Sequence, residues 1–176
     1  MPELTPLTIA IWDDPILSTV CDLVGADEFG EGLETLGKQM LLTMGGGGIG
    51  LAASQVGLAK RLFVMRRTTA DHKGETIIAV NPVIEAFGEF KAHEEGCLSF
   101  PNIYGIVSRQ QECDLTYQDP LDGGEWTVRL NGYDSFCAQH EIDHCNGIMF
   151  FDKRRMPKSL GRKVLKEWEK SRRGKQ

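Results

Sequence analysis

Apolar and polar residues alternate with a helical period near the start of the chain. Between Glu31 and Met44 the apolar positions fall on one stripe, which consists of Leu33, Leu36, Met40, Leu41 and Met44. This period predicts an amphipathic helix. The run of four glycines that begins at Gly45 is expected to end the helix and start a loop.

The middle of the chain has the short β-rich runs that are typical of strands. "RLFVM", "TIIAV" and "VIEAF" are three of them, and Asn81-Pro82 between the last two predicts a turn between strands. Apolar and polar residues alternate in "CDLTYQ" from Cys113 and in "WTVRLN" from Trp126. The intervening "QDPLDGG" predicts a hairpin, so these strands are expected to be antiparallel.

Two more helices are predicted after the strands. The stretch "CAQHEIDHCNG" lies in a helix that is expected to start near Asp134, as its N-cap, and to end at Gly147, a residue suited to the left-handed position. A basic helix is predicted at about 157–176, with one stripe formed by Leu160, Val164, Leu165 and Trp168. The pattern predicts an α+β fold in which mostly antiparallel β-sheets pack around a central helix, with helices towards both termini.

Length and composition are those of a globular protein. The 176 residues are expected to form a single domain, residues 1–176, and no apolar run reaches the ~20 residues that span a bilayer. The start, "MPELTPLTIAIWDD", lacks the basic and apolar segments of a secretory signal, which favours a cytoplasmic location. Five irregularly spaced cysteines do not indicate a disulfide framework.

Charge is distributed unevenly along the chain. The net charge is −5, but from Asp152 onward eleven Lys or Arg stand against three Asp or Glu, so residues 1–151 carry −13. A basic terminal segment suits docking on a polyanion such as RNA, and a helix with one solvated basic face is the alternative. Because no base-reading motif is present, sequence-specific nucleic-acid recognition is not expected.

The central helix carries candidate metal chemistry. His140 and His144 are four residues apart, so both side chains lie on one helix face and can bind one ion. Glu141 lies beside them and can exchange a proton with water activated by the ion. Two partly exposed histidines beside a solvated glutamate are the alternative. The downstream acids Glu167 and Glu169 lie in the basic segment and are unattractive as a third ligand.

The third ligand has to come from elsewhere in the chain. Cys137 lies on the same turn as the histidines, where it would struggle to close a tetrahedral site, so it is interpreted as a packing residue. Cys97 in "HEEGCLSFP" follows a glycine that permits close backbone approach and precedes Leu98-Ser99 in an expected extended run. A buried strand cysteine is the alternative for Cys97. "GIGLAASQVG", from Gly48, predicts a tight turn with one amide side chain, Gln55.

Three motifs in this order, "GIGLAASQ", "EGCLS" and "QHEIDH", resemble the peptide deformylase family, from about Asp14-Pro15 to the terminal helix. The resemblance implies that Cys97, His140 and His144 bind one divalent ion and leave a fourth position for water, with Glu141 as general acid and base. It favours Fe²⁺, with Zn²⁺, Ni²⁺ or Co²⁺ able to occupy the site. The ligand types alone are typical of zinc.

The resemblance also implies an activity. The expected reaction is hydrolysis of the N-formyl group from N-formylmethionine at the N-terminus of nascent polypeptides, with release of formate. The Gln55 amide and the Leu98 backbone N–H are implied as donors to the negatively charged oxygen of the intermediate. Two alternatives stay open: a zinc endopeptidase of the HExxH type, and a non-catalytic metal-containing module that binds peptides. The latter has no need of an unbound Glu141 beside its ion.

A peptide site follows from the same resemblance. The backbones of Ile49, Gly50 and Gly96 are expected to bind the substrate as an added strand. The pocket for the methionine side chain is expected at Ile49, His93, Tyr133, Phe136 and Cys137. His93 has a surface position as its alternative. Because some bacterial relatives use a terminal helix to dock on the ribosome, ribosome docking of the basic segment is a further hypothesis.

Overall fold

The fold is built on a five-stranded sheet with the order β1-β2-β3-β4-β5, in which every neighbouring pair is antiparallel. The structure is a computed structural model that describes residues 4–173. Its strands are β1 (Gly50–Ala52), β2 (Leu62–Arg66), β3 (Thr76–Cys97), β4 (Phe100–Gln118) and β5 (Glu125–Asn131). Its α-helices are α1 (Glu31–Met44), α2 (Gly132–Cys145) and α3 (Lys158–Arg173). The predicted α+β class is confirmed.

Helix α1 has the bounds that its apolar stripe predicts. Leu33, Met40 and Met44 are buried, and Gly45 ends the helix with a φ of 63°. Gly37 lets the helix lie directly on the sheet, since a Cβ there would be 2.6 Å from Ile78 Cγ2. The stripe therefore packs α1 on one side of β2 and β3.

The prediction of a turn at Asn81-Pro82 is wrong, because β3 continues through both residues. The pairing register with β4 shifts between Val80 and Val83, which is the mark of a β-bulge. Asn81 takes a positive φ of 47°, and its side chain exchanges hydrogen bonds with the backbone of Val24 at 2.8 and 3.0 Å. Such a residue bends the strand without reversing it.

The expected extended run at Leu98-Ser99 is wrong. These two residues form the turn between β3 and β4. Cys97 ends β3 and pairs with Phe100, the first residue of β4. The turn therefore holds Cys97 at the tip of a long hairpin, where its side chain can reach a helix behind the sheet.

Helix α2 is the buried centre of the molecule, and all residues from Asp134 to Cys145 are buried. The prediction that Asp134 is the N-cap of this helix is wrong. Asp134 lies inside the first turn, and Asn131 is the N-cap. The Asp134 carboxylate instead accepts hydrogen bonds from the Thr68 backbone N–H at 2.7 Å and the Thr68 hydroxyl at 2.6 Å. Gly147 follows the helix in the left-handed region, with a φ of 65°, as predicted.

Helix α3 packs through an aromatic cluster. Val164 and Trp168 are buried, and the Trp168 ring stacks on Phe100 with 4.5 Å between centroids. The helix was predicted at about 157–176, and positions 174–176 lie outside the described residues. Within residues 4–173, no helix combines the length and the apolar character that crossing a membrane requires.

Candidate metal centre and active site

The three ligands predicted from the sequence meet in the structure. Cys97 at the hairpin tip places its Sγ 3.3 Å from His144 Nε2, and the Nε2 atoms of His140 and His144 are 3.1 Å apart. All three donor atoms lie within 4.8 Å of one another. One thiol sulfur and two imidazole nitrogens at this separation form a donor set that fits one divalent transition-metal ion. Among residues 4–173, no other His, Cys, Asp or Glu group of this kind is found.

Glu95 orients the first histidine. Its Oε2 lies 2.8 Å from His140 Nδ1, so the other ring nitrogen of His140 faces the remaining ligands. Burial favours a higher pKa for Glu95, but hydrogen bonds from Arg109 and His140 outweigh it and hold the pKa well below its ordinary value. Glu95 is therefore a charged acceptor for the histidine. Neither it nor Arg109 was predicted as a site residue.

Glu141 is buried beside the ligands, and its Oε2 has no hydrogen-bond partner among the described residues. Burial raises the pKa of this carboxyl group to about 7. Strand β1 crosses close by, because Gly50 has no side chain: a Cβ there would collide with Glu141 Oε1 and would be 2.7 Å from Cys137 Sγ. An unpartnered carboxylate oxygen in a buried site suits proton exchange with a bound water or substrate.

Gln55 directs its amide group at the same centre. Its Oε1 accepts the Ala52 backbone N–H at 2.8 Å, which fixes the side chain. Its Nε2 lies 3.3 Å from Cys97 Sγ and 3.2 Å from Ser99 Oγ. Gln55 belongs to a short 3-10 helix, Ala53–Val56, directly after β1. These contacts hold the amide N–H groups of Gln55 beside the Cys97 sulfur, next to where charge would develop at the centre.

A cavity of about 460 Å³ opens beside these groups. Its lining includes every predicted site residue except His144. The predicted residues that line it are Ile49, Gly50, Gln55, His93, Gly96, Cys97, Leu98, Tyr133, Phe136, Cys137, His140 and Glu141. The structure therefore brings together in one cavity groups that the sequence presents in three separate segments.

The residues predicted for a methionine pocket all line this cavity. The His93 ring stacks on Phe136 with 4.0 Å between centroids, and its Nε2 lies 2.8 Å from Glu95 Oε1. Only 7% of the His93 side chain is exposed, so the surface alternative for this histidine is wrong. Cys137 is buried against β1, whereas Tyr133 is 64% exposed and stands at the rim.

Strand β1 is an edge of the sheet and borders the cavity. The Arg66 N–H donates to the Ile49 carbonyl at 2.8 Å, so this Ile49 group is directed at β2. Successive residues of a strand direct their backbone groups to opposite sides, which leaves those of Gly50 facing away from β2. An extended peptide can pair with such an edge.

Glu95 and Arg109 show what the sequence alone did not reveal. They are 14 positions apart, on β3 and β4, and their ion pair is buried. A metal-binding histidine nearly always has an acceptor for its second ring nitrogen, so a search for a buried carboxylate near "EGCLS" would have been the available signal. The sequence could not say which of Glu94 and Glu95 faces inwards.

Comparison with known proteins agrees with this geometry. The family model described as polypeptide deformylase matches residues 6–159. A peptide deformylase of Erythrobacter litoralis is 37% identical over 88% of this chain and 92% of its own. The crystal structure of peptide deformylase from Thermus thermophilus is 35% identical, covers 92% of each chain and has a TM-score of 0.80. A Met-Ala-Ser-bound class I type b peptide deformylase from Acinetobacter baumannii is 32% identical over 84% of this chain and 98% of its own, with a TM-score of 0.77. The chain therefore belongs to the polypeptide deformylase family, whose members are metal-dependent hydrolases that remove the N-formyl group from nascent polypeptides.

Proposed function

We propose that this chain deformylates N-formylmethionyl peptides with one divalent ion held by Cys97, His140 and His144. The observation that carries the proposal is the convergence of one sulfur and two imidazole nitrogens within 4.8 Å, beside Glu141 Oε2, which has no hydrogen-bond partner in the described part of the chain. When bound, the ion supplies Lewis acidity for the attacking water and the formyl carbonyl. We assign Fe²⁺ from the family resemblance. The same donor set also suits Zn²⁺, Ni²⁺ and Co²⁺.

Glu141 acts as general base and then as general acid. Its free Oε2 takes a proton from the attacking water and returns it to the amine of the departing methionine. A carboxyl group whose pKa is raised to about 7 can accept and release a proton near neutral pH. Gly50 allows the carboxylate to lie against β1, where the substrate backbone is expected.

Gln55 and Leu98 stabilise the charge that develops on the formyl oxygen. Ala52 fixes the Gln55 carbonyl oxygen, so the amide N–H groups remain directed at the centre. The Leu98 N–H belongs to the turn that also positions Cys97. One donor of this type is typically worth about 3 kcal/mol of activation barrier.

The peptide binds as an additional strand beside β1, with Gly50 and Gly96 supplying backbone groups. The expected contribution of the Ile49 carbonyl is dropped, because that group already accepts the Arg66 N–H. Its methionine side chain enters the apolar part of the cavity, whose walls are Ile49, His93, Tyr133, Phe136 and Cys137. The Acinetobacter baumannii relative binds Met-Ala-Ser, which is the sequence that remains after deformylation of a formyl-Met-Ala-Ser substrate. That likeness supports the assigned substrate class.

Formate release tests this function directly. The metal-loaded chain is incubated with formyl-Met-Ala-Ser and with acetyl-Met-Ala-Ser, and formate and free amino termini are measured. We expect formate and Met-Ala-Ser from the first peptide and much slower hydrolysis of the second. Cleavage of internal peptide bonds without formate release would establish the endopeptidase alternative. Binding of the peptide without hydrolysis would establish the non-catalytic module.

We also infer that α3 docks the enzyme on ribosomal RNA in the cytoplasm, where formylated chains emerge. The exposed basic residues of the helix are Lys158, Arg162, Lys163, Lys166, Lys170, Arg172 and Arg173. Co-sedimentation with purified ribosomes at low salt, weakening as salt rises, is the expected result because phosphate contacts release counterions. Absence of co-sedimentation at low salt would contradict this inference.

A further inference from the structure

Four charged side chains form an unbroken hydrogen-bonded path from α2, here called the metal helix because it carries His140 and His144, to the segment before α3. Glu95 holds His140 Nδ1 and also accepts a hydrogen bond from Arg109 Nη2 at 2.9 Å. Arg109 Nη1 donates to Asp143 Oδ2 at 2.8 Å. Arg155 Nε donates to the same carboxylate oxygen at 2.6 Å, and Arg155 Nη2 pairs with Asp143 Oδ1.

The charges on this path balance only when Arg155 is counted. Glu95 and Asp143 are two buried carboxylates, and Arg109 between them is a single buried cation. Burial opposes the charge on Arg109, but its pairing with Glu95 and Asp143 outweighs burial and raises its pKa above the ordinary value. A buried carboxylate that lacks a full partner is costly. Arg155 supplies a second cation, which pairs with both carboxylate oxygens of Asp143.

This second partner determines what Arg109 can do. With Asp143 satisfied by Arg155, Arg109 keeps two nitrogens, Nε and Nη2, on Glu95. Planar two-point pairing fixes the direction of a carboxylate as well as its charge. The orientation of Glu95 in turn determines the orientation of the His140 ring.

Arg155 is itself held in place. Its backbone N–H donates to the Asp152 carbonyl at 2.8 Å, and the next residue, Met156, is buried. A Cβ added at Gly105 would be 2.9 Å from the Met156 terminal methyl group, so this segment lies tightly on β4. The Arg155 side chain remains 31% exposed and reaches inwards from the surface.

We propose that Arg155 is a positioning residue that maintains the geometry of the metal ligand His140 through Asp143, Arg109 and Glu95. The inference rests on the proposed function, since it takes His140 as a ligand. Loss of Arg155 leaves Arg109 as the only arginine paired with the two carboxylates, so Asp143 competes more strongly with Glu95 for it, which loosens Glu95 and the ring that it orients. The consequence is weaker metal binding without loss of any atom that touches the ion.

Zn²⁺ affinity tests the proposal apart from activity. The dissociation constant of the full chain for Zn²⁺ is measured by competition with a chromophoric chelator, together with the melting temperature of the metal-free protein. We expect Arg155→Gln to weaken binding about tenfold, at the low end of the effect of removing an outer-shell partner. Arg155→Lys keeps the positive charge but cannot pair with both oxygens of Asp143 at once. Its Zn²⁺ affinity is therefore expected to lie between those of wild type and Arg155→Gln.

Arg154→Gln is the matched control. Arg154 is a neighbouring arginine that pairs with Asp152 at the surface and has no contact with Asp143 among its hydrogen bonds. Its substitution is expected to leave the Zn²⁺ affinity within about twofold of wild type, as for surface ion pairs generally. Should Arg155→Gln fail to fold, the comparison of Arg155→Lys with this control decides the question.

The possible results distinguish a failure of the positioning role of Arg155 from a failure of the proposed metal-dependent function. A wild-type chain that binds no Zn²⁺ would overturn the assigned metal site itself. If wild type binds one Zn²⁺ tightly and the Arg155 variants bind equally well, only the positioning role is refuted. A lower melting temperature with unchanged Zn²⁺ affinity would likewise show that Arg155 is merely structural.

Discussion

Glu141 is the residue on which proton transfer depends in the proposed mechanism, and its close neighbours hold it beside the predicted ligands. It is buried where α2 meets the Gly50 backbone, and within residues 4–173 its Oε2 has no hydrogen-bond partner. The proposed mechanism gives this residue the proton transfer and leaves the ion to Cys97, His140 and His144. Metal content and turnover should therefore respond differently to its substitution.

Glu141→Gln is expected to retain the bound metal and to lower kcat by roughly a hundredfold to ten-thousandfold, because the amide cannot act as general base. Formate release and metal content by mass spectrometry measure the two effects. Glu89→Gln, an exposed glutamate on β3, serves as the control with unchanged activity. Turnover close to wild type in Glu141→Gln would remove this residue from the mechanism.

Substitution of Gln55 distinguishes an effect on kcat from an effect on KM. Changing it to Leu removes the amide donor, and kcat is expected to fall about a hundredfold or more while KM changes little, since the interaction strengthens only as charge develops. Steady-state kinetics with formyl-Met-Ala-Ser give both constants. A rise in KM with kcat unchanged would instead make Gln55 a substrate-binding residue.

The residues proposed for metal binding and catalysis could be named from the sequence, whereas the side chains that support them could not. His140, Glu141 and His144 follow from helical spacing, and Cys97 and Gln55 follow from the family motifs. Glu95, Arg109, Asp143 and Arg155 did not follow, because their roles depend on the register between β3 and β4 and on a turn before α3. Charged residues of this kind also occur on solvated surfaces, and only the three-dimensional fold shows that they are buried.

Strand β1 and helix α2 approach each other closely, and glycine at position 50 makes the approach possible. A side chain there would collide with the Glu141 carboxylate and crowd Cys137. The strand would have to move away from the helix, which would displace both the proposed substrate edge and Glu141, the proposed general base. The contact between these elements is therefore a requirement of the site as well as of the fold.

Gly50→Ala is expected to lower kcat/KM at least tenfold and to destabilise the protein by about 1–3 kcal/mol through overpacking. Kinetics and chemical denaturation measure the two quantities. Gly46→Ala is the matched control, because a Cβ there meets nothing within 4 Å and no unfavourable φ is involved. Equal behaviour of the two variants would show that β1 does not need to lie so near α2.

Elements with a strong period were predicted well, and connections were predicted poorly. The stripe of α1 gave the bounds Glu31–Met44, and the alternation in β4 and β5 gave their hairpin. Asn81-Pro82 looked like a turn because both residue types favour turns, yet tertiary hydrogen bonds to Val24 make it a bulge. Asp134 looked like an N-cap, but it binds Thr68 across the fold. Local propensity does not contain either long-range partner.

Within the described residues, three buried apolar clusters together position the site. One packs α2 on the sheet, another packs α1, and the aromatic cluster packs α3 against the start of β4. Cys97 and His144, 47 positions apart, meet because the β3–β4 hairpin and α2 are both held by these clusters. The basic α3 lies at the surface, and the Arg155 segment connects it to the metal helix.

The central claim is that one ion is bound by one sulfur and two imidazole nitrogens and keeps a site for solvent. X-ray absorption spectroscopy of the protein loaded with one equivalent of Zn²⁺ tests it most directly. We expect one sulfur at about 2.3 Å and three nitrogen or oxygen atoms at about 2.0–2.1 Å. We also expect the sulfur contribution to disappear in Cys97→Ala. A first shell without sulfur, or one with two sulfurs that leaves no solvent position, would contradict the account.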